Sequence, residues 1–331
     1  MESNPEASKI SPPRLIPAVT EGFNLVANHI QLILLPVALD LVLWFAPHLR
    51  LKALLTPFMD GLNLNTLLAN NPDMVSVLPA IKELWQTTLE HFNILSILRT
   101  YPIGIPSIFS STGPLKNPLG EPVTVELLSS GGVFWLWVLL IILGTVLGTL
   151  FLSEIERASD PEQPKFSMLK YFWQSSQMLK LTLLCFVMAL VIAIPLSLLF
   201  SLISLLSSFL MQLFMIMIAL ILIWILIPLI FTPHVILVNQ KSPWRAMLFS
   251  FQMVRFFMPG TGIFLMTAVM FNQGLDILWR IPPESSWMAL VGILGHGFIS
   301  TALFAASFEY FRGGLRWMQS PASANRRTAQ I

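Results

Sequence analysis

The sequence predicts an all-α polytopic membrane protein, a bundle of about six spanning helices. Hydrophobic residues make up 55% of the 331 residues and charged residues only 11%, whereas a soluble domain has about 25% charged residues. The stretch from Leu181 to Pro233 contains no Asp, Glu, Lys, Arg or His over 53 residues. One straight helix of that length would reach ~80 Å, although a span needs only roughly 20 apolar residues. The stretch must therefore fold back on itself as two spans.

The positions of the spans follow from the apolar segments of the chain. We expect them at about residues 23–46, 131–153, 179–203, 207–232, 260–280 and 286–310. The third and fourth meet at the serine-rich segment Ser201–Ser208. Pro36, Pro195 and Pro228 lie inside predicted spans, where neighbouring helices can satisfy the carbonyl groups that proline leaves free. Each proline is expected to kink its helix.

The distribution of Lys and Arg predicts the orientation of the chain. A cytoplasmic segment 1–22, a six-span membrane domain 23–310 with an outer loop 47–130, and a basic tail 311–331 place thirteen Lys and Arg on one side and six on the other. Since the basic side faces the cytoplasm, both termini are predicted to be cytoplasmic. The expected location is the cell membrane, as a multi-pass protein.

Three basic amphipathic stretches each lead directly into a predicted span. They are Ser11–Asn28, Phe166–Lys180 and Ser242–Met258, and the third begins with a cap-like Ser242-Pro243. Trp and Arg beside a span are typical of helices in the headgroup layer. The stretches are interpreted as interfacial elbow helices that set the angle of the next span; the alternative is a surface that docks on or senses lipid.

The outer loop is predicted to be partly helical. Asn71-Pro72-Asp73 has the form of a helix start, and apolar residues from Met74 to Leu95 recur at helical spacing. The segment 99–132 is rich in proline and glycine instead. We expect it to lie along the membrane surface and cap the bundle; the alternative is a lid over a substrate cavity.

Five polar residues in or beside the spans are the candidate site. Asp40 lies in the first span, Asn272, Asp276 and Arg280 stack at intervals of four in the fifth, and His296 lies in the sixth, with a serine one turn beyond. Ionisable groups are costly inside a membrane and are functional candidates there. The hypothesis is a polar pocket open to the outside. The alternative is structural: an Asp276–Arg280 ion pair, an Asp40 bonded to a neighbouring helix, and a His296 that donates between helices.

Glycine patterns in two spans predict close helix packing. Gly144 and Gly148 are four residues apart in the second span, and Gly292, Gly295 and Gly297 lie in the sixth. Small residues at this spacing allow backbones to approach. Packing within the chain is the expectation, and dimerisation is the alternative.

Motifs for catalysis, cofactors and metals are missing from the sequence. No Walker A loop, His-Glu-x-x-His or Gly-x-Ser-x-Gly occurs, the only cysteine is Cys185, and the five histidines are scattered. We therefore expect no catalytic residue, no cofactor and no metal. The expected partners are the lipid bilayer and a membrane protein or second copy of the chain, without nucleic acid.

The elbow-then-span layout, as in Ser242–Met270, resembles six-span bacterial membrane proteins, namely YciC-like proteins and the membrane domain attached to some glycerophosphodiester phosphodiesterases. The segments Tyr101–Ser107 and Pro118–Gly120 are similar to segments of other multi-pass bacterial proteins. The resemblance implies a membrane protein without the phosphodiesterase domain. The leading hypothesis is a scaffold or accessory protein of the membrane. The alternatives are a transporter of a small solute or lipid that uses the polar pocket, and an intramembrane lipid-modifying enzyme.

Overall fold

The computed structural model describes residues 12–61, 78–100, 104–109, 113–160 and 167–319. The described chain is almost entirely helical, with the elements α1 Leu15–Asn28, α2 Leu34–Phe45, β1 His48–Arg50, α3 Lys52–Gly61, α4 Leu78–His91, β2 Thr124–Glu126, α5 Ser130–Ala158, α6 Met168–Leu206, α7 Ser208–Leu229, α8 Thr232–Asn239, α9 Pro243–Trp279 and α10 Ala289–Gln319. Short 3-10 helices lie at Ile30–Ile33 and Ile94–Arg99. The all-α class and the multi-pass membrane architecture are confirmed.

Five continuous helical segments are long and apolar enough to span a membrane: α5, α6, Phe209–Asn239, α9 and α10. The sixth candidate is a bent pair, since α1 and Ile30–Phe45 meet at 94°. The prediction of one span over 23–46 was wrong in its boundary, because His29 has a non-helical backbone and its ring nitrogen bonds Leu25 O at 3.1 Å. Pro36 falls in the first turn of α2, where the missing N–H has no helical partner to lose.

Helix α10 is the centre of the bundle. In its most apolar stretch of 18 residues, 61% of the residues are buried. It packs against α1, α2, α5 and α9. Gly22 of α1 lies directly on α10, since an added Cβ would come within 2.5 Å of Ala302 O and Ala306 N. Helix α1 therefore packs on the bundle, and it ends at Asn28, where the first elbow stretch Ser11–Asn28 was predicted to end. Helix α10 also continues beyond the predicted end of span six, through residue 319.

The second predicted elbow does not form a separate helix. Helix α6 runs unbroken for 39 residues from Met168, since neither Pro nor Gly interrupts the sequence before Pro195. Its polar face is buried: Gln174 is 2% exposed, whereas Leu169 is 82% exposed. The polar side chains bond inside the bundle and the apolar ones face outward, which is the pattern of a lipid-facing helix.

The third predicted elbow ends close to its expected boundary. Helix α9 has non-helical angles at Phe257 (φ −121°, ψ 19°), two residues before Pro259. Proline disfavours helical geometry in the residue before it and removes a backbone donor. The kink therefore separates residues 243–256 from the following span.

The described parts of the outer loop contain more secondary structure than its composition predicts. Strands β1 and β2 pair in parallel, with His48 opposite Thr124 and Arg50 opposite Glu126, and neither strand was predicted. Helix α4 confirms part of the predicted helix, whereas its expected start at Asn71-Pro72-Asp73 and Met74 lies outside the described residues. Residues 1–11, 101–103 and 320–331 lie outside them as well.

The glycine patterns pack within the chain. A Cβ at Gly295 would lie 2.7 Å from the Trp279 ring, and one at Gly292 would overlap the Trp279 carbonyl. Gly144 is in close contact with Leu98 and Thr100 of the outer loop rather than with another spanning helix. Each close approach therefore has a partner in the same chain, as expected.

Candidate functional site

Asp40 is an anchor for the outer loop. Its side chain, near the end of α2, is completely buried. It accepts hydrogen bonds from Ser107 Oγ at 2.5 Å, from Ile108 N at 3.2 Å and from Phe109 N at 3.5 Å. Hydrogen bonds to a charged acceptor are among the stronger ones in proteins. The carboxylate therefore fixes the backbone of the loop segment 104–109.

The segment Gly104–Phe109 inserts into the bundle, which corrects the prediction that it lies along the membrane surface. Ile105 is 2% exposed and Ile108 3%, and Phe109 stacks on Trp44 with ring centroids 6.3 Å apart. Non-helical backbone is tolerated among spans only where its polar groups find partners in the protein. The Asp40 carboxylate supplies acceptors for two of these backbone N–H groups.

Arg280 holds the same loop segment from the opposite side. Its guanidinium donates to the carbonyl oxygen of Ile108 and lies 3.9 Å from the Asp276 carboxylate, one helical turn away. Ile108 is thus bound through its N–H to α2 and through its carbonyl to the end of α9. The Asp276–Arg280 ion pair expected from the spacing is present.

His296 joins α9 to α10. Its Nδ1 lies 2.6 Å from Asp276 Oδ1, and its Nε2 lies 3.4 Å from the hydroxyl of Ser300. That hydroxyl donates to Asn272 Oδ1 at 2.8 Å. The result is a ladder of polar contacts across the α9–α10 interface, with His296 bonded between helices.

The structure brings the five predicted site residues into one connected network. Asp276 bonds His296 directly and pairs with Arg280, and Arg280 reaches Asp40 through the backbone of Ile108. These contacts are those of the structural alternative for Asp276, Arg280 and His296, and a pocket open to the outside stays a prediction.

Sequence reasoning missed Ser107, the closest partner of Asp40. The only signal was that a serine ends the apolar, helix-breaking run Tyr101–Ser107. It also missed the contacts of Glu284 at the same end of the bundle: Trp44 Nε1 donates to Glu284 O at 3.0 Å, and Glu284 Oε2 accepts from Leu115 N at 3.0 Å. These contacts join the ends of the first and last spans.

A buried charge cluster, also missed, lies at the opposite end of the bundle. Glu156 of α5 has a side chain only 2% exposed, 3.8 Å from Lys170 of α6 and 3.7 Å from Arg312 of α10. Arg312 also donates to Ser159 O at 2.5 Å. Three helices therefore meet at one carboxylate.

Two ionisable groups in the outer loop, away from the spans, have shifted pKa values. Burial lowers the pKa of His48 below its ordinary value of 6.5, because the charged ring is poorly solvated there. A hydrogen bond from Lys52, at 2.8 Å, lowers the pKa of the exposed Glu90. Protonation of either group therefore opposes the folded arrangement of this loop.

Among the described residues, no cluster of three or more His, Cys, Asp or Glu side chains could hold a metal ion. Comparison of the chain with protein-family models, curated proteins and solved structures gives no match. The resemblance to YciC-like proteins stays a prediction. The arrangement of side chains itself supports one chemical role: a buried polar network that fixes an outer loop onto a membrane bundle.

Proposed function

We propose that this chain is a non-enzymatic integral membrane protein, a scaffold or accessory protein of a bacterial cell membrane. The observation that carries the proposal is the bonding of Asp40, whose buried carboxylate accepts three hydrogen bonds from the inserted segment 104–109. A carboxylate that takes up and releases a solute needs a free coordination position and a path to water. Asp40 is used as a fixed structural anchor instead.

The exposed hairpin of α6 and α7 supports the same proposal. In the most apolar 18-residue stretches of α6 and of Phe209–Asn239, only 0% and 6% of the residues are buried. Both stretches are nevertheless among the most apolar parts of the chain. Such a hairpin offers lateral surface to the bilayer and to a membrane-protein partner or second copy. Nucleic acid is not among the proposed partners.

Both termini are proposed to be cytoplasmic. A Cβ at Gly313 would lie 3.4 Å from the Cβ of Pro13, so the two ends of the described chain are neighbours, which supports a common side. The test replaces Cys185 by Ser and introduces single cysteines as Glu121→Cys or Arg316→Cys. A membrane-impermeant maleimide applied to intact cells should label the first and not the second; the reverse result contradicts this orientation.

Gene replacement tests the scaffold role. The envelope integrity of cells that lack the gene, measured by entry of an impermeant dye, is compared with that of cells carrying Asp40→Asn or Asp276→Asn, provided that each variant is present at the wild-type level. A scaffold predicts that both variants restore integrity. Loss of function at normal abundance contradicts the proposal, because a structural anchor matters only through the amount of folded protein.

A small-solute or lipid transporter is the second candidate, and the partial exposure of two network residues favours it. The side chain of Asp276 is 17% exposed and that of Arg280 34%. A proton-coupled transporter requires proton flux into proteoliposomes that falls in Asp276→Asn and His296→Gln. Flux equal to that of protein-free liposomes supports the scaffold instead.

A further inference from the structure

A groove of about 400 Å³ lies where the chain turns from α8 into α9. Its lining includes Lys241, Ser242, Arg245, Leu248, Phe249 and Gln252. Sites for small molecules occupy clefts of this size. The groove is therefore large enough for a lipid headgroup, and the cationic side chains of Lys241 and Arg245 lie at its wall.

The two cations of the groove have no carboxylate partner among the described residues. None of the ion pairs in the described part of the chain includes Lys241 or Arg245. The sequence explains why, since no Asp or Glu occurs between residues 163 and 275. The Lys241 ammonium lies 3.8 Å from the centre of the Phe249 ring, a contact that positions the charge. The site is thus electropositive and lacks a counter-ion from its own segment.

The position of the groove relative to the spans indicates which region of the membrane it faces. One spanning segment ends at Asn239, and residues 243–256 lead through the kink at Phe257 into the next, so the groove lies at a boundary between hydrocarbon and water. Trp244 is 60% exposed and Leu248 49%. Tryptophan is enriched at headgroup level, and exposed apolar side chains beside charged groups suit acyl chains. Cations next to an apolar surface match an anionic lipid.

We propose that this groove binds the phosphate headgroup of an anionic glycerophospholipid. Arg245, whose planar fork suits phosphate oxygens, and Lys241 hold the phosphate, and the acyl chains lie along Leu248 and Trp244. Basic pockets between spanning helices are a recognised form of headgroup site. The site is independent of the Asp40 network and goes beyond the scaffold role.

The test is lipid titration of the delipidated full-length protein in detergent, followed by native mass spectrometry. Phosphatidylglycerol is the probe, with phosphatidylcholine as the neutral lipid. The double variant Lys241→Gln/Arg245→Gln should weaken phosphatidylglycerol binding about tenfold or more. The matched control Arg14→Gln/Arg316→Gln removes the same charge away from the groove and should bind as the wild type does. The charge-keeping variant Lys241→Arg/Arg245→Lys should lose less affinity than the neutral double variant, because both positive charges remain while the planar fork is lost from position 245.

Three results would overturn the proposal. Equal losses in the groove variant and in the charge-matched control would show that only net charge matters. Equal binding of phosphatidylcholine would show that the phosphate charge is not recognised. Displacement of the lipid by millimolar inorganic phosphate, with phosphate alone raising the melting temperature, would assign the groove to free phosphate and not to a lipid.

Discussion

Each buried polar residue of the candidate site has a specific partner, and the partner determines its role. Asp40 bonds a loop, Asp276 bonds His296, and Ser300 bonds Asn272. An unpartnered polar group among spanning helices is costly. The sequence identified the costly residues, but which atoms they bond depends on chain segments far away.

The Asp40 anchor can be tested by Asp40→Asn. The amide keeps one acceptor oxygen but presents an N–H₂ group to a backbone N–H, so one hydrogen bond is lost and one donor is left unsatisfied. We expect the folded state to lose about 2–3 kcal/mol. Hydrogen–deuterium exchange of the Ile108 and Phe109 amides should be faster.

Two serine variants provide the control for this prediction. Ser107→Ala should accelerate exchange in the same segment, because it removes the closest donor to the carboxylate. Ser201→Ala should change nothing, since that hydroxyl bonds only a carbonyl of its own helix. Unchanged exchange at Ile108 in Asp40→Asn would contradict the anchor.

His48 predicts a pH dependence of stability. Burial lowers its folded pKa below 6.5, so below pH 6.5 the unfolded chain binds more protons than the folded one, and stability falls. The loss begins near pH 6.5 and continues down to the folded pKa. The pKa of Glu90 is lowered from 4.5. Its contribution to stability is therefore lost at a more acidic pH, as the pH falls through its own folded pKa. Apparent melting temperatures in detergent should therefore decrease less between pH 7 and pH 5.5 in His48→Gln than in the wild type; parallel curves would contradict this.

At the scale of elements, hydrophobic length predicted which segments are spans, but the environment of each face required the structure. Helix α6 buries Gln174 and exposes Leu169. Its amphipathic pattern was interpreted as an elbow at the water interface, whereas in the structure the polar face packs against the protein and the apolar face points outward. Periodicity shows that two faces differ; it does not show which one faces the protein. The α9 kink near Pro259 was predictable because proline acts locally.

The α1–α10 contact predicts opposite effects for two glycine variants. Gly22→Ala places a Cβ 2.5 Å from the α10 backbone, so the helices must separate, at a cost of about 1–3 kcal/mol. Gly262→Ala meets nothing within 4 Å and should be neutral, or stabilise by up to ~1 kcal/mol through helix propensity. Melting of the two variants in one detergent compares them directly. Equal behaviour would show that α1 does not pack closely on α10.

At the scale of the whole molecule, polar contacts between distant residues hold the helices of the bundle together at both ends. Asp40, Arg280 and Glu284 fix the outer loop, and Glu156 joins α5, α6 and α10 at the other end. Between them lie further polar contacts across helices, such as that of His296 with Asp276 and that of Gln174 with Leu237 O. Helix orientation is therefore set by a few long-range polar contacts, since lipid offers no hydrophobic force between helices.

The charge cluster around Glu156 predicts a larger loss of stability for a variant of this glutamate than for a variant of its neighbour Glu154. Glu156→Gln leaves the half-buried Lys170 and Arg312 with a neutral partner, although Arg312 keeps Asp160 at 3.7 Å, and should destabilise the fold by about 1–3 kcal/mol. Glu154, which pairs with Arg157 in a more exposed position, should cost less than ~1 kcal/mol as Glu154→Gln. Apparent melting temperatures measure both. A Glu154 effect as large as that of Glu156 would contradict the central position of Glu156.

The sequence alone determined that the chain is a membrane bundle and which polar residues its spans contain, because the length and apolarity of a segment are local properties. Only the tertiary structure decided that the outer loop enters the bundle, and that Asp40 and Arg280 hold it. These bonds join residues 67 and 172 positions apart. A donor separated from its acceptor by that much chain leaves no periodic signal, so the pairing exists only once the helices have packed.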